Sequence, residues 1–531
     1  PRYFSVIPSL STSIYVLPHS SFEAMRKEVL VIGGGATGAG VVRDLALRGA
    51  DCVLLEMGDY CHGASGGNHG LLHSGGRYAV KDPSSARECA EENSTLRRIA
   101  PFCIEDTGGL FASLPGDDPE FGDRFERACR ETGVPVEELS AQEALAEEPG
   151  LSTDVTRCYR VPDGSVDPFA LVQANVDDAR ANGATVLNHC RVTGMEVDGG
   201  RVVRVDYVNN RNGESGHVFP ELMVNTAGAW APQVAKMAGV HLAMGLDQGS
   251  MLVADGRHCR HVVNRLRPPS NGDIAVPNHT STILGTTSRP ASSPEDSGVS
   301  EADQGLLLRE ASRMLPGLRT VRVIRSYGGV RPLLGGGGRE ASRSFAVLRD
   351  EGAENMLTVS GGKLTTYRLM AEKVSDQACR VLGIRAACRT ASEPLGPPAE
   401  GGGMSIAESR LTRKYGWRSR DIDTGDARVI CSCEQVLRSE VVHALRGEDV
   451  LTMADVMRRT RAGMGYCQGM DCSLGVLELM VRSKGVDPRQ TLLEFLSERE
   501  KGLELASGDQ LRQELLRRHV FQGVYRLGGG A

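Results

Sequence analysis

The sequence predicts an α/β protein: a parallel dinucleotide-binding sheet with a strand-rich antiparallel domain inserted into it, followed by a small cysteine-bearing module. Three observations predict this. Residues 28–56 read as strand, glycine turn, helix, strand and acid. Two later strands, Leu222-Met223-Val224 and Met356 to Ser360, each run into a turn of small residues, as late strands do when they rejoin a nucleotide-binding sheet. Four cysteines towards the C-terminus fall in two close pairs.

The first element is the apolar run Val29-Leu30-Val31-Ile32, a buried parallel strand by its composition. Gly33-Gly34-Gly35-Ala36-Thr37-Gly38 then fits G-x-G-x-x-G. Gly33 makes the tight turn, Gly35 lets backbone N–H groups approach a pyrophosphate, and Gly38 lets helix and strand pack closely. Ala36 and Thr37 open the helix, whose positive end favours an anion. Ala39, Val42, Leu45 and Ala46 share one side of that helix, and Gly49 suits its C-terminal cap. The second strand, Cys52 to Leu55, ends in Glu56, eighteen residues beyond Gly38 and placed to accept hydrogen bonds from a ribose. The motif itself does not divide FAD from NAD.

At 531 residues the chain is long enough for two to four domains. It is 40% hydrophobic and 24% charged, as globular chains are. A net charge of −6 and a pI near 6.1 argue against nucleic acid or an anionic membrane bound through a basic surface. No run of eighteen apolar residues occurs, so no transmembrane segment is expected. Of the fourteen cysteines, ten are scattered without motif spacing and read as reduced core thiols.

The remaining elements follow in order. Residues 1–24 read as a disordered extension without the apolar core of a signal peptide. Residues 58–78, rich in Gly, Ser, Asn and His, are either a loop threading beside a cofactor or an ordinary surface loop; Ser65, Gly66 and Asn68 are its candidate cofactor contacts. Residues 84–100 read as a polar helix and 117–150 as acidic and helical. Asp167-Pro168 is an N-cap and first helical residue. Residues 184–197 and 201–208 have strand character, and Asn212-Gly213 marks a hairpin. Gly228 lies in the turn after the Leu222 strand. Residues 245–350 form the second, strand-rich region, with a loop tip at Gly335 to Gly338. The Met356 strand runs into Gly361-Gly362-Lys363 and a helix, a second helix N-terminus for a ligand. The expected domains are an oxidoreductase region at 25–388, a linker at 389–427, the cysteine module at 428–486 and a helical tail at 487–531.

Two constellations carry chemistry. Cys431 and Cys433 precede Cys467 and Cys472 by thirty-four residues, counted from Cys433 to Cys467. Four thiolates suit zinc or a [2Fe–2S] cluster. Gly463, Gly465 and Gly469 leave N–H groups free for cluster sulfurs, which favours iron–sulfur. The other set is cationic: Arg77 beside Tyr78, Arg331, Arg343 and Lys363, each at a glycine-rich turn or a strand end. Such side chains suit phosphate or carboxylate.

IGGGATGAG, GASGGNHGLLHSGGRYAV, VPDGSVDPF, GVRPLL, GGKLTTYRLMAE and TRAGMGYCQGMDC together resemble the large catalytic subunits of anaerobic glycerol-3-phosphate dehydrogenases, from about Met25 onward. The resemblance implies a glutathione-reductase-like FAD fold with an inserted substrate domain and a module similar to bacterioferritin-associated ferredoxin. It implies oxidation of sn-glycerol 3-phosphate to dihydroxyacetone phosphate, the C2 hydrogen leaving as hydride to FAD while a base takes the hydroxyl proton. Electrons would pass through a [2Fe–2S] cluster to two partner subunits, one a second dehydrogenase subunit, the other a membrane-anchoring iron–sulfur subunit, and on to menaquinone. The chain would be cytoplasmic, held at the membrane face by those partners. By similarity to single-chain relatives, Arg331, Arg343 and Lys363 would hold substrate oxygens or polarise the reacting alkoxide, Arg77 and Tyr78 would line the pocket, and Thr286 and Thr287 would match a pocket strand. Those relatives have a histidine where this chain has Met251, so His73 is the substitute base. The competing readings are a flavin amine or 2-hydroxyacid dehydrogenase, and a non-catalytic electron-transfer flavoprotein. The arginine set disfavours the first, and the pocket cations with Tyr78 disfavour the second.

Overall fold

The structure is a computed structural model that describes residues 24–334, 344–349, 352–396 and 406–527. The expected disordered extension (bar residue 24), the Gly335–Gly338 loop tip, Arg343 and the middle of the expected linker lie outside these residues.

The first sheet has the parallel core that the fingerprint requires. Met25–Ile32 pairs in parallel with Cys52–Leu55 on one side and Ser215–Asn225 on the other. Thr185–Leu187 and Met356–Gly361 extend it outward, also in parallel. The register sets Ile32 opposite both Leu55 and Asn225, so Gly33, Glu56 and Thr226 follow at one carboxyl edge, where doubly wound sheets bind ligands. Both faces are covered. Val29 and Val31 belong to the core shared with the helices Ala36–Leu47, Pro168–Ala181 and Tyr367–Leu382, whereas Leu30 and Ile32 pack on the other side with Val234 and Ala235. That two-sided burial is why the strand reads as a continuous apolar run. Asp167 caps the Pro168–Ala181 helix, accepting from the Phe169 and Ala170 N–H groups.

The second sheet has nine strands and begins earlier than the sequence suggested. Its long antiparallel pair is Met244–Asp255 with Val323–Leu334. It also takes Gly109–Ser113, Glu137–Leu139 and Arg157–Val161. The reading of 117–150 as helical therefore holds for Phe121–Glu131 and Ala141–Glu147 but not for the strand between them. The sheet is also not wholly antiparallel, since Gly109–Ser113 runs parallel to Val262–Arg265. All five residues of Gly109–Ser113 are buried, and so short an apolar run carries no alternation to betray it.

The C-terminal lobe is built from Arg438–Leu445, Met453–Thr460 and Ser473–Lys484 around the four cysteines. The helices Pro488–Glu500 and Gly508–Arg518 follow, and Leu492, Phe495 and Leu496 enter the same core as Cys431, Val456 and Met480. The lobe docks on the first sheet through buried charge. Asp59 accepts from Arg459 at 2.7 and 2.9 Å, from Arg458 at 3.2 Å and from Asn188 at 3.1 Å. Among the described residues, no helix is long and apolar enough to cross a membrane.

Candidate active site and cysteine centre

One cavity of about 730 Å³ runs from the fingerprint turn to the second sheet. Its first wall is the strand edge. Gly33 has φ +108, and a Cβ there would lie 2.7 Å from the Thr226 carbonyl oxygen, so only glycine makes this turn beside the neighbouring strand. A Cβ on Gly38 would fall 1.9 Å from the Gly33 carbonyl oxygen; Gly38 lies off the cavity wall and serves the close helix packing expected of it. Gly33, Gly35, Ala36 and Thr37 line the cavity. The Ala36 N–H donates to Ser65 Oγ at 2.9 Å, which places the Gly-Ser loop against the helix N-terminus.

Glu56 lines the same cavity and holds two backbone donors, Gly34 N–H at 2.6 Å and Gly58 N–H at 2.7 Å, one on each oxygen. Each oxygen keeps a second lone pair for a ribose hydroxyl. Burial pushes this carboxyl upward, and the two N–H bonds pull it back. Gly228, Gly361 and Gly362 reach the cavity from the two later junctions. Two loop residues do other work. Gly66 lies off the wall, where a Cβ would meet the Cys61 carbonyl oxygen at 2.2 Å. Asn68 lines the cavity but turns its side chain back on its own loop, donating to Ser65 O at 2.6 Å and accepting from Gly70 N–H at 2.7 Å. A glycine-walled cradle at a helix N-terminus, with a carboxylate at the next strand end, fits the adenosine and pyrophosphate part of FAD.

The other end of the cavity is cationic. Arg77, Arg331 and Lys363 line it with Tyr78, Thr286 and Thr287. Arg331 is held as a fork. One nitrogen donates to the buried Asp247 at 2.5 Å, and the other to Thr286 Oγ1 at 2.6 Å and Thr287 O at 3.2 Å. Lys363 Nζ donates to Ser85 Oγ at 2.9 Å and sits 4.7 Å from the centre of the Tyr78 ring. Arg77 lies 3.5 Å from Asp273. Sequence reading missed Asp247, and with it the partner that orients Arg331; a lone aspartate in a strand carries no motif.

Two histidines lie beside these cations. The rings of His73 and Tyr78 meet edge-on at 5.2 Å, and those of His69 and His73 at 5.9 Å. Burial holds His73 well below the ordinary imidazole value, and His69, Arg77 and Lys363 push the same way. Burial, then Arg331 and Arg77, lower His69 to about 3. His69 Nδ1 has no protein partner, although it is shielded from solvent. The sequence shows His69 only as one of three histidines in a polar loop; its approach to the cations exists only in the fold. Met251 is buried and lines the cavity.

The four paired cysteines converge in the C-terminal lobe. Cys431 is hydrogen-bonded to Cys472, and Cys433 to Cys467. The Cys472 bond, helped by the Gly463 and Glu434 N–H groups, lowers Cys431 to about 6. Its neighbours move the other way: burial pushes Cys433 up to about 12, and the bond to Cys431 pushes Cys472 up. A Cβ on Gly465 would lie 2.3 Å from Cys433 Cβ, so the two ligand segments touch where a side chain would part them. Four converging thiols with backbone donors aimed at sulfur fit a [2Fe–2S] cluster.

Comparison with known proteins agrees with both sites. Residues 28–376 match the family model for FAD dependent oxidoreductases, and residues 429–482 that for BFD-like [2Fe-2S] binding domains. A subunit of the anaerobic glycerol-3-phosphate dehydrogenase of Escherichia coli K12 is 40% identical over 527 residues, 94% of this chain and 97% of that one. The chain belongs to this family of anaerobic glycerol-3-phosphate dehydrogenase subunits. A second member, from Haloferax volcanii, is 42% identical over 92% of this chain and 89% of that one. In this member of the family, an FAD-dependent oxidoreductase region is joined to a [2Fe–2S]-binding domain. The fold likeness extends further. The FAD complex of glycerol-3-phosphate dehydrogenase from Bacillus halodurans superposes with a TM-score of 0.65 at 20% identity, over 94% of this chain and 95% of that one. Glycine oxidase from Geobacillus kaustophilus gives 0.55 at 22% identity, over 71% of this chain and all of that one.

Proposed function

We propose that this protein oxidises sn-glycerol 3-phosphate to dihydroxyacetone phosphate and delivers the electrons through partner subunits to a quinone. The observation that carries the reading is the single cavity in which a dinucleotide cradle opens onto Arg77, Arg331 and Lys363. Family membership supports it: relatives 40% identical along nearly the whole chain are named for this activity, and as one of an enzyme's subunits.

Gly33, Gly35, Ala36, Thr37 and Glu56 would hold FAD, with Ser65, Gly228, Gly361 and Gly362 beside it. When bound, FAD supplies the hydride acceptor. The remaining work falls to the chain. Arg331, fixed by Asp247, Thr286 and Thr287, would bring a preset positive charge to the phosphate or to the substrate oxygens, and preset geometry costs little entropy on binding. Arg77, Tyr78 and Lys363 complete the cationic wall, joined by Thr287 and, in this proposal, by Arg343. His73 is neutral because it is buried, so its free nitrogen can take the C2 hydroxyl proton. Lys363 and Arg331 would stabilise the developing alkoxide. Partner subunits, one of them bearing the membrane anchor, would hold the chain at the cytoplasmic membrane face.

Anaerobic titration of the flavin-loaded protein tests this. Glycerol 3-phosphate should bleach the flavin, and glycerol should not. Removing one partner of a buried, hydrogen-bonded charge pair costs ~2–5 kcal/mol, so Arg331→Leu should lower kcat/KM ~30-fold or more. Bleaching by glycine or lactate instead, or unchanged kinetics in Arg331→Leu, would defeat the assignment.

A further inference from the structure

Beneath the loop that carries Cys467 and Cys472 lie two arginines that belong to neither site so far described. They come from the tail helices Pro488–Glu500 and Gly508–Arg518, beyond residues 429–482 that match the cluster-binding family. Arg499 Nη1 donates to Gly463 O at 3.2 Å and to Gln468 Oε1 at 3.1 Å. Arg517 Nη1 donates to Gln468 O at 2.8 Å. Gln513, on the same helix as Arg517, donates to Cys467 O at 3.1 Å. Both guanidiniums lie against the Phe495 ring, and both are buried. A Cβ on Gly469 would sit 2.7 Å from Phe495 and 3.6 Å from Arg517 Nη1, so the loop rests directly on this layer.

Arginine keeps its proton even when buried. Glu514, paired with Arg517, offsets one of the two charges. The layer therefore carries net positive charge, and the Nε atoms of both arginines have no protein partner. A four-thiolate cluster is anionic when oxidised and gains one further negative charge on reduction. Fixed positive charge in a low-dielectric interior favours the more anionic state.

We propose that Arg499 and Arg517 are positioning residues for the [2Fe–2S] cluster: they fasten the Gly463–Cys472 loop from below and raise the potential at which the cluster accepts an electron. This rests on the family reading that the four cysteines hold such a cluster.

The test is a redox titration of full-length, anaerobically purified protein, followed by the paramagnetic signal of the reduced cluster, with iron content measured in parallel. Arg499→Gln and Arg517→Gln should each lower the midpoint, changing the oxidised-to-reduced ratio at a fixed potential about tenfold, or ~59 mV for a one-electron couple. Glu514→Gln should raise it. Arg517→Lys should stay near wild type, and the flavin midpoint should not move in any variant. Loaded glutamine variants with wild-type midpoints would overturn the proposal. If those variants lose their iron, Glu514→Gln decides: a higher midpoint supports the charge role, and an unchanged or lower one ends it. Wild-type protein that binds no iron would instead defeat the cluster reading itself, and the proposal with it.

Discussion

At the scale of single residues, the cavity sets acidic and basic groups against their ordinary behaviour. His69 shows the consequence most directly. Its folded value of about 3 lies below the unfolded value of ~6.5 because the charged ring would be buried beside Arg331 and Arg77. Between these values the unfolded chain binds the extra proton, so stability rises with pH across this window. The contribution is complete above ~6.5 and is lost progressively as pH falls towards 3. At ~1.4 kcal/mol per pH unit, moving from pH 7 to pH 5 should cost about 2 kcal/mol through this residue. Denaturant midpoints at the two pH values should therefore lie closer together in His69→Gln than in wild type. Equal pH sensitivity in both would mean that the ring is not held neutral.

At the scale of elements, the strand–turn–helix at Met25–Leu47 makes the clearest commitment. Gly35 has an ordinary φ of −73, so a side chain there does not strain the backbone. Gly35→Asp adds a carboxylate to the cavity wall at the helix N-terminus, in the place of a phosphate. The purified variant should keep wild-type circular dichroism but lose flavin, with affinity falling roughly tenfold or more, ~1.4 kcal/mol per decade; full flavin content would put the pyrophosphate elsewhere. This element was legible in the sequence because its strand, turn, helix, second strand and closing acid all fall within residues 28–56. The cysteine pairs were legible for a related reason, since their spacing states the coordination number. Gly109–Ser113 was not legible, because its partners Val262–Arg265 and Arg157–Val161 are remote and its run is too short to show a period. Nor were Asp247 under Arg331, or Arg499 and Arg517 under Gln468: each is a common residue whose meaning comes from a neighbour far along the chain.

At the scale of the whole molecule, two lobes are held together by charges that neither could bury alone. Asp59 is 2% exposed and faces Arg458 and Arg459 from the other lobe. Asp59→Ala would leave Arg459 and Arg458 only the longer contacts to Asp449 at 3.4 Å and Asp455 at 3.6 Å, at a cost of up to ~3–5 kcal/mol. Proteolysis should then cut between the lobes faster, while the isolated flavin spectrum stays normal; unchanged resistance would place the cohesion elsewhere. The tail has a second task besides underpinning the cysteine loop. Val323–Leu334 pairs on one side with Met244–Asp255, and at its start the tail supplies the partner for its open side. Ser507 N–H donates to Val323 O at 2.9 Å, and Ser507 Oγ accepts from Val323 N–H at 2.9 Å. An uncovered strand margin is a template on which another chain can pair. Ser507 has φ −58, a value proline accepts, so Ser507→Pro would delete both bonds without bending the tail. That variant should remain folded yet self-associate with rising concentration in analytical ultracentrifugation, whereas wild type should not. The turn at Ser507 would then be what stops neighbouring molecules from stitching their sheets together.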